Sequence, residues 1–516
     1  MTPVSRRRVL LTSLAAAAAP SLARAADAAT IATTRHGKVR GATDQGIAVF
    51  KGIRYGADTA PHRFQPPRLP RPWRGVADAL TYGPGSPQGS NESNTSEDCL
   101  FLNVWTPALR DGGKRPVMVY IHGGAYSNGS GSSPLYDGVN LCKRGNIVVV
   151  TLNHRLNAFG YLYLARLDGD FPDSGNCGQL DLVQALNWVK DNIAEFGGDP
   201  GCVLVFGQSG GGAKIATMMA MPGAKGLFHR ATTMSGQQLT ASGPFNATKR
   251  AQSFLAALNL ASPKDLLKLS TDQLTAGLKA VDPVIGSGGV YFGPVLDERT
   301  LTRHPFYPDA PSQSADIPMM IGNTHDETRA FIQDDWAYKL TWDELPARLA
   351  PAYRVDIAPE IVIAKYREWF PGITPTDLFF KATTAGRSWR ATIVEDELRA
   401  QAGTPAYAYQ VDFRTPFHDS APHTTDIALA FDNTDKPGAL TGNGPEARKL
   451  AAQVSETFIA FARTGNPNYP ALPLWKPYTL PNRETMIFDV ASHMENDPRG
   501  RERELFSKVP FVQQGT

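Results

Sequence analysis

The chain has 516 residues, 42% of them hydrophobic and 20% charged, with a formal net charge of +3. This is enough apolar material to bury a large core, and it excludes a disordered or fibrous polymer. Removing residues 1–25, which hold four arginines and no acids, takes the charge from +3 to −1, so no basic excess remains to serve nucleic acid or a membrane surface.

Taken in chain order, residues 1–25 read as an export signal. Arg6, Arg7 and Arg8 precede an alanine-rich apolar run to Ala19, and Leu22-Ala23-Arg24-Ala25 gives a small-residue exit. The paired arginines fit a twin-arginine signal with cleavage after Ala25, which predicts a periplasmic or secreted protein. The apolar run is too short to span a bilayer, and no later stretch reaches that length, so stable membrane insertion is not expected. Residues 36–110 alternate short apolar runs with glycine and proline, as in Gly46–Ile53 and Leu100–Trp105, and predict an antiparallel β region. From Pro116 the texture changes. Strands are predicted at 116–121, 146–152 and 203–206, with a long amphipathic helix over 180–196 between the second and third. Further strands are expected at 317–322 and, as the last, 406–413, separated by a largely helical insertion over about 328–400 that would lie over the sheet ends. Alternating β and α predicts a mostly parallel sheet covered by helices on both faces. No repeat or flexible linker cuts the chain, so residues 26–516 are expected to form one elaborated domain.

The stretch Gly207-Gln208-Ser209-Gly210-Gly211 follows the strand at 203–206 and leads into a helix-compatible run from Ala213 to Met221. Glycines flanking a serine allow a strand-to-helix turn too tight for side chains, and the hydroxyl is then forced outward. A helix N-terminus behind Ser209 favours an anion forming beside it. A serine nucleophile needs a base, a group that orients the base, and donors for the developing oxyanion. Backbone amides of the turn His122-Gly123-Gly124-Ala125, together with that of Gly210, are placed to supply the donors. In the order Ser, acid, His, the acid is Asp326 or Glu327, and spacing does not choose between them. The base is His418 or His423, on the loop after the strand at 406–413. His229, His304, His325 and His493 lie elsewhere. The four cysteines, Cys99, Cys142, Cys177 and Cys202, have no metal-site spacing and read as small buried thiols, so neither metal nor cofactor is expected.

Two long segments give this pattern a family. Phe196–Gly211, FGGDPGCVLVFGQSGG, and Glu97–Pro107, EDCLFLNVWTP, resemble the two signatures of the type-B carboxylesterases, an α/β-hydrolase group that includes bacterial para-nitrobenzyl esterases and animal cholinesterases. The similarity extends over essentially the whole chain after residue 25. It implies an α/β-hydrolase fold, a small-molecule ester substrate and no cofactor. It places the nucleophile on Ser209, the oxyanion hole on Gly124, Ala125 and Gly210, the acid on Glu327 and the base on His423. It further implies that Ser235 supports the acid, and that Arg63 with Glu97 and Arg155 with Asp181 are structural ion pairs. Carbamate or amide hydrolysis by the same residues, or a binding member of the fold that has lost catalysis, are the alternatives. Three departures stand out. Gln208 replaces the family's usual glutamate, which makes a cationic substrate less favourable; Ala125 replaces a third glycine; Thr328 replaces the glycine after the acid. Aromatic residues Tyr126, Phe292, Phe331, Trp336, Tyr338, Trp389 and Phe417 are candidates for an apolar gorge.

Overall fold

The computed structural model describes residues 30–89, 92–286 and 288–516; the export signal expected at 1–25 lies outside the described residues. The strands are Ile31–Thr34 (β1), Gly37–Arg40 (β2), Ala42–Asp44 (β3), Ile47–Arg54 (β4), Val76–Asp78 (β5), Phe101–Thr106 (β6), Arg115–Ile121 (β7) and Val148–Leu152 (β8). They continue with Gly198–Gln208 (β9), Arg230–Met234 (β10), Met319–Thr324 (β11), Ala406–Val411 (β12), Glu484–Phe488 (β13) and His493–Asn496 (β14). A small sheet has the order β1-β2-β5, and a large one runs β14-β13-β12-β11-β10-β9-β7-β8-β6-β4-β3. From β8 through β13 the large sheet is parallel. It is antiparallel at both edges, where β3, β4 and β6 precede β8 and where β14 follows β13.

The central strands are buried on both faces, and their alternation feeds two cores. In β7, Val117, Val119 and Ile121 enter one core, while Met118 and Tyr120 enter the other; in β9, Val203 and Val205 oppose Leu204 and Phe206 in the same way. The helix Cys177–Asn192 covers the first face with Leu182, Ala185, Leu186 and Val189, a stripe at helical spacing. The helix Pro445–Thr464 covers the second with Leu450, Val454, Phe458 and Phe461. Burying each such large aliphatic or aromatic side chain contributes about 1.5–3 kcal/mol.

Four strands, β1, β10, β13 and β14, were not expected from the sequence, and the strand at 406–411 is not the last. β10 (RATTM) has a threonine-rich middle, and β13 and β14 are short and mixed in character, so none carries a strong apolar signal. The insertion is helical as expected: Leu345–Leu349, Pro359–Trp369, Pro375–Thr384 and Arg390–Gln401, the last two joined by a wide π-helical turn at Ala385–Trp389. Among the described residues no helix is long and apolar enough to cross a membrane. The four cysteines are all free thiols, three buried and Cys202 partly so.

Both expected ion pairs are present. Arg63 and Glu97 meet at 2.6 Å, and the same guanidinium donates to the Leu269 carbonyl, tying the antiparallel region to the chain near residue 270. Arg155 and Asp181 are almost wholly buried and form a two-pronged pair at 2.6 and 2.9 Å, with a third bond from the Arg155 backbone N–H. Removing one member of such a pair strands the other charge in the interior. Asp181→Asn should therefore destabilise the fold by about 3–5 kcal/mol, seen as a lower urea midpoint; an unchanged midpoint would show that the pair carries no such weight.

Candidate active site

β9 ends at Gln208, and the helix Gly210–Met218 begins two residues later. Ser209 makes the whole turn, with φ 57° and ψ −126°, a conformation unusual for a side-chain-bearing residue. It is held at both ends: its N–H donates to the Met234 carbonyl at 2.7 Å, and its own carbonyl accepts from Ala213 at 3.1 Å. Neighbouring chain passes so close that side chains are excluded. A Cβ on Gly210 would overlap the Ala125 carbonyl, one on Gly211 the Ile121 carbonyl, and one on Gly236 the carbonyl of Ser209 itself. The glycines of the motif are therefore required by packing as well as by turn geometry.

The loop after β7 lies directly against this turn. A Cβ on Gly123 would stand 3.2 Å from that of Ser209. Gly124 and Ala125 have φ of 82° and 50°, and neither donates its N–H to a partner among the described residues. Gly210, as the first residue of its helix, has no preceding helical turn to donate to. Ala125 and Gly210 line the same cavity as the serine, with Gly124 preceding Ala125 in the loop. The loop is also tethered to the nucleophile's helix: the fully buried Lys214 donates from Nζ to the carbonyls of Ala125, at 2.7 Å, and His122, at 3.2 Å. Beside it, the rings of His122 and His154 stack 4.8 Å apart, both kept neutral by burial and by the neighbouring ammonium.

Of the two acids left open by spacing, Glu327 meets the histidine. Its carboxylate accepts a short hydrogen bond from His423 Nδ1 and another from the Thr324 N–H at 2.8 Å. Burial pushes the carboxyl up, but His423 and these donors outweigh it and hold it below its ordinary value. The Ser235 hydroxyl lies near enough to contribute, though outside the geometry of a full hydrogen bond. Asp326 faces the other way, bonded to His325 at 3.0 Å and to the Ala421 N–H at 3.0 Å, where it steadies the loop that carries His423. His418 is exposed and stacks on Tyr338, away from both acids. Thr328 is accommodated without a glycine-like backbone, its hydroxyl against that of Thr384 at 3.0 Å.

No hydrogen bond joins the Ser209 hydroxyl to His423 among the described residues. With Nδ1 turned to Glu327, the Gln208 side-chain amide nitrogen lies 3.1 Å from Nε2, which can accept from it, and 3.3 Å from Nδ1. The ring is otherwise covered by Phe331, with centroids 4.5 Å apart. Ser209, Gly210, Ala125 and Tyr126 line a cavity of about 160 Å³ together with Arg354 and Arg387. A larger cavity, about 620 Å³, opens near β4 and Trp73 and shares no residue with the site. Of the gorge candidates, Phe292 packs on Phe254, Trp336 on Phe379, Tyr338 on Phe380, Phe417 against His418 and Trp389 beneath Arg499, while Tyr126 lines the cavity at Ser209 and Phe331 covers His423. Lys214, Arg354 and Arg387 were not anticipated as parts of the site, whereas Gln208 was, as the residue before Ser209. Only Lys214 had a sequence signal, a lone cation within the otherwise uncharged run Ala213–Met221.

A doubly covered parallel sheet whose strand turns through a serine into a helix defines an α/β-hydrolase. The chain belongs to the carboxylesterase family, whose pattern it matches over residues 28–351 and 382–506. It is 35% identical over 493 residues to the para-nitrobenzyl esterase of Bacillus subtilis, covering 92% of this chain and 98% of that one. It is 32% identical to the phenmedipham hydrolase of Pseudarthrobacter oxydans, over 89% of this chain and 94% of that one. A crystal structure of a carboxylesterase from Geobacillus stearothermophilus superposes with a TM-score of 0.84 at 37% identity, covering 92% of this chain and all of that one. The protein is a carboxylic ester hydrolase.

Lys214 gives the site a pH signature. Burial lowers its ammonium from the ordinary 10.5 to about 7 in the folded chain. Between those values the unfolded chain holds more protons, so this group makes folding stability rise as pH rises. Lys214→Met should flatten that rise relative to the parent protein, measured as urea midpoints at about pH 7.5 and about pH 9.5; an identical pH dependence would mean that Lys214 titrates normally.

Proposed function

We propose that the protein hydrolyses small carboxylic esters through an acyl-enzyme on Ser209, with His423 as base, Glu327 as its orienting acid and the amides of Gly124, Ala125 and Gly210 as the oxyanion hole. The observation that carries the reading is the buried Glu327–His423 pair set beside a serine forced into the sharp turn after β9. His423 takes the Ser209 proton as Oγ bonds to the ester carbonyl carbon, and the carbonyl oxygen becomes an oxyanion facing the three amides. The carbon–alkoxide bond then breaks, and the alcohol leaves with the proton from His423. Water, deprotonated by the same imidazole, attacks the acyl carbon and releases the acid and free Ser209. Glu327 stays ionised throughout and stabilises the imidazolium.

With Nδ1 committed to Glu327, Nε2 is the nitrogen that receives the serine proton, and the Gln208 amide must yield that nitrogen as the ester enters. Nucleophile-to-base hydrogen bonds commonly tighten only in the Michaelis complex. A neutral amide at position 208 adds no charge beside the imidazolium, whose acidic neighbours are Glu327 and the buried Asp426, a carboxyl pushed up to about 7 by burial and by Glu327. This fits an ester that brings no positive charge.

We further infer export from the arginine-led, alanine-rich segment 1–25, with residues 26–516 acting as one domain in the periplasm or outside the cell. Support comes from the order of basic, apolar and small residues in that segment. The large sheet, which draws strands from residue 42 to residue 496, supports the single domain.

Ser209→Ala should lower turnover of 4-nitrophenyl acetate by at least about 10⁴-fold with unchanged circular dichroism, and Glu327→Gln should lower kcat by about 10⁴-fold. Covalent labelling by an organophosphate should map to Ser209 by peptide mass. Turnover retained by the Ser209 variant would overturn the assignment.

A further inference from the structure

Four arginines buried in the framework are paired with carboxylates, Arg63 with Glu97, Arg155 with Asp181, Arg250 with Asp282 and Arg499 with Glu502, while the buried Arg399 is satisfied by the carbonyls of Ser314 and Ile317. The two arginines that line the cavity at Ser209 do not. Arg387 makes no hydrogen bond or ion pair among the described residues. Its guanidinium lies 4.3 Å over the ring of Phe331, the same ring that covers His423. Among the described residues the Arg354 guanidinium donates only to the neutral side chain of Gln514, at 2.6 Å. No aspartate or glutamate lines the cavity, whose other polar groups are glutamines, serines and Tyr291.

The nearest carboxylates are already committed. Glu327 is taken by His423 and the Thr324 N–H. Glu395 accepts from the Gln238 N–H, and burial pushes its carboxyl up to about 8, so it is largely uncharged at neutral pH. Burial and the charge of Arg354 lower Arg387, and the charge of Glu327, which forms no ion pair with it, partly offsets them; at about 10 it stays cationic where the enzyme works. Two like charges gathered in one partly enclosed cleft repel and lose hydration, a cost that an incoming anion offsets. The backbone presents Arg387 from the π-helical turn Ala385–Trp389, an irregularity that is frequent at functional sites. At about 160 Å³ the cavity is smaller than the clefts that hold drug-sized ligands, which suits a carboxylate on a short arm. Planar guanidinium groups are matched to a carboxylate.

We propose that the ester this enzyme takes carries a second, free carboxylate, in its acyl or its alcohol half, and that Arg387 and Arg354 hold it while Ser209 attacks. The proposal rests on the esterase reading and assigns its substrate class. Two matched pairs test it on the full chain: monoethyl glutarate against ethyl pentanoate for the acyl half, and the acetate ester of 4-hydroxyphenylacetate against that of 4-ethylphenol for the alcohol half. In at least one pair the carboxylated ester should have a kcat/KM about tenfold higher or more, the scale of one charge-assisted hydrogen bond. Arg387→Gln should cut that ratio about tenfold, Arg354→Gln should reduce it, and Arg387→Lys, which keeps the charge, should restore part of it. Circular dichroism of each variant separates loss of preference from loss of fold. Neutral esters turned over equally well or better in both pairs, or a ratio unmoved by Arg387→Gln and Arg354→Gln, would overturn the proposal and leave the esterase reading standing. Turnover of no ester, with no organophosphate label on Ser209, would overturn both.

Discussion

The site depends on a reversal of the backbone within a single residue. β9 arrives from the sheet, Ser209 turns it, and the helix Gly210–Met218 departs, with three passing chain segments packed so tightly that Gly210, Gly211 and Gly236 have no room for a Cβ. The positive φ at Ser209 costs of order 1–3 kcal/mol, and it persists because the surrounding hydrogen bonds and contacts over-determine it. Everything else at the site is placed relative to that turn. The loop after β7 can lie against the serine because Gly123 has no side chain, and the loops after β11 and β12 bring Glu327 and His423 from farther along the sheet.

Strand order explains how residues more than two hundred positions apart reach one place. β9, β10, β11 and β12 are consecutive parallel neighbours, so the turns at their C-terminal ends share one edge. Ser209, Ser235, Glu327 and His423 sit on those turns in that order. This is the general location of ligand sites in open α/β sheets. The buried pairs Arg63–Glu97 and Arg155–Asp181 act away from the chemistry, fixing the antiparallel region and the first covering helix.

Much of this was legible in the sequence because local chemistry and fold agree there. The run Val203–Phe206, the glycines around Ser209 and the lone strand 116–121 ending in His-Gly-Gly each signal their own structure. Asp326 and Glu327 could not be separated by spacing, since adjacent residues differ only in the direction they face. Resemblance singled out Glu327, and the structure pairs it with His423 while Asp326 holds the Ala421 N–H. β10 and β13 were illegible because their residues owe burial to neighbouring strands and not to an apolar pattern of their own, and β14 because it is a short, largely exposed edge strand. The aromatic residues misled for the converse reason. Trp336, Tyr338 and Trp389 are large and apolar, and they satisfy the insertion's own core before they can reach the serine. Arg354 and Arg387 gave no local sign, because their lack of acidic partners is a property of the folded cleft alone.

The tether from Lys214 has a mechanical consequence. Ser209 and the loop that carries Gly124 and Ala125 come from different crossovers of the sheet. Because the ammonium on the serine's own helix grips two carbonyls of the facing loop, the two halves ride together as one rigid body.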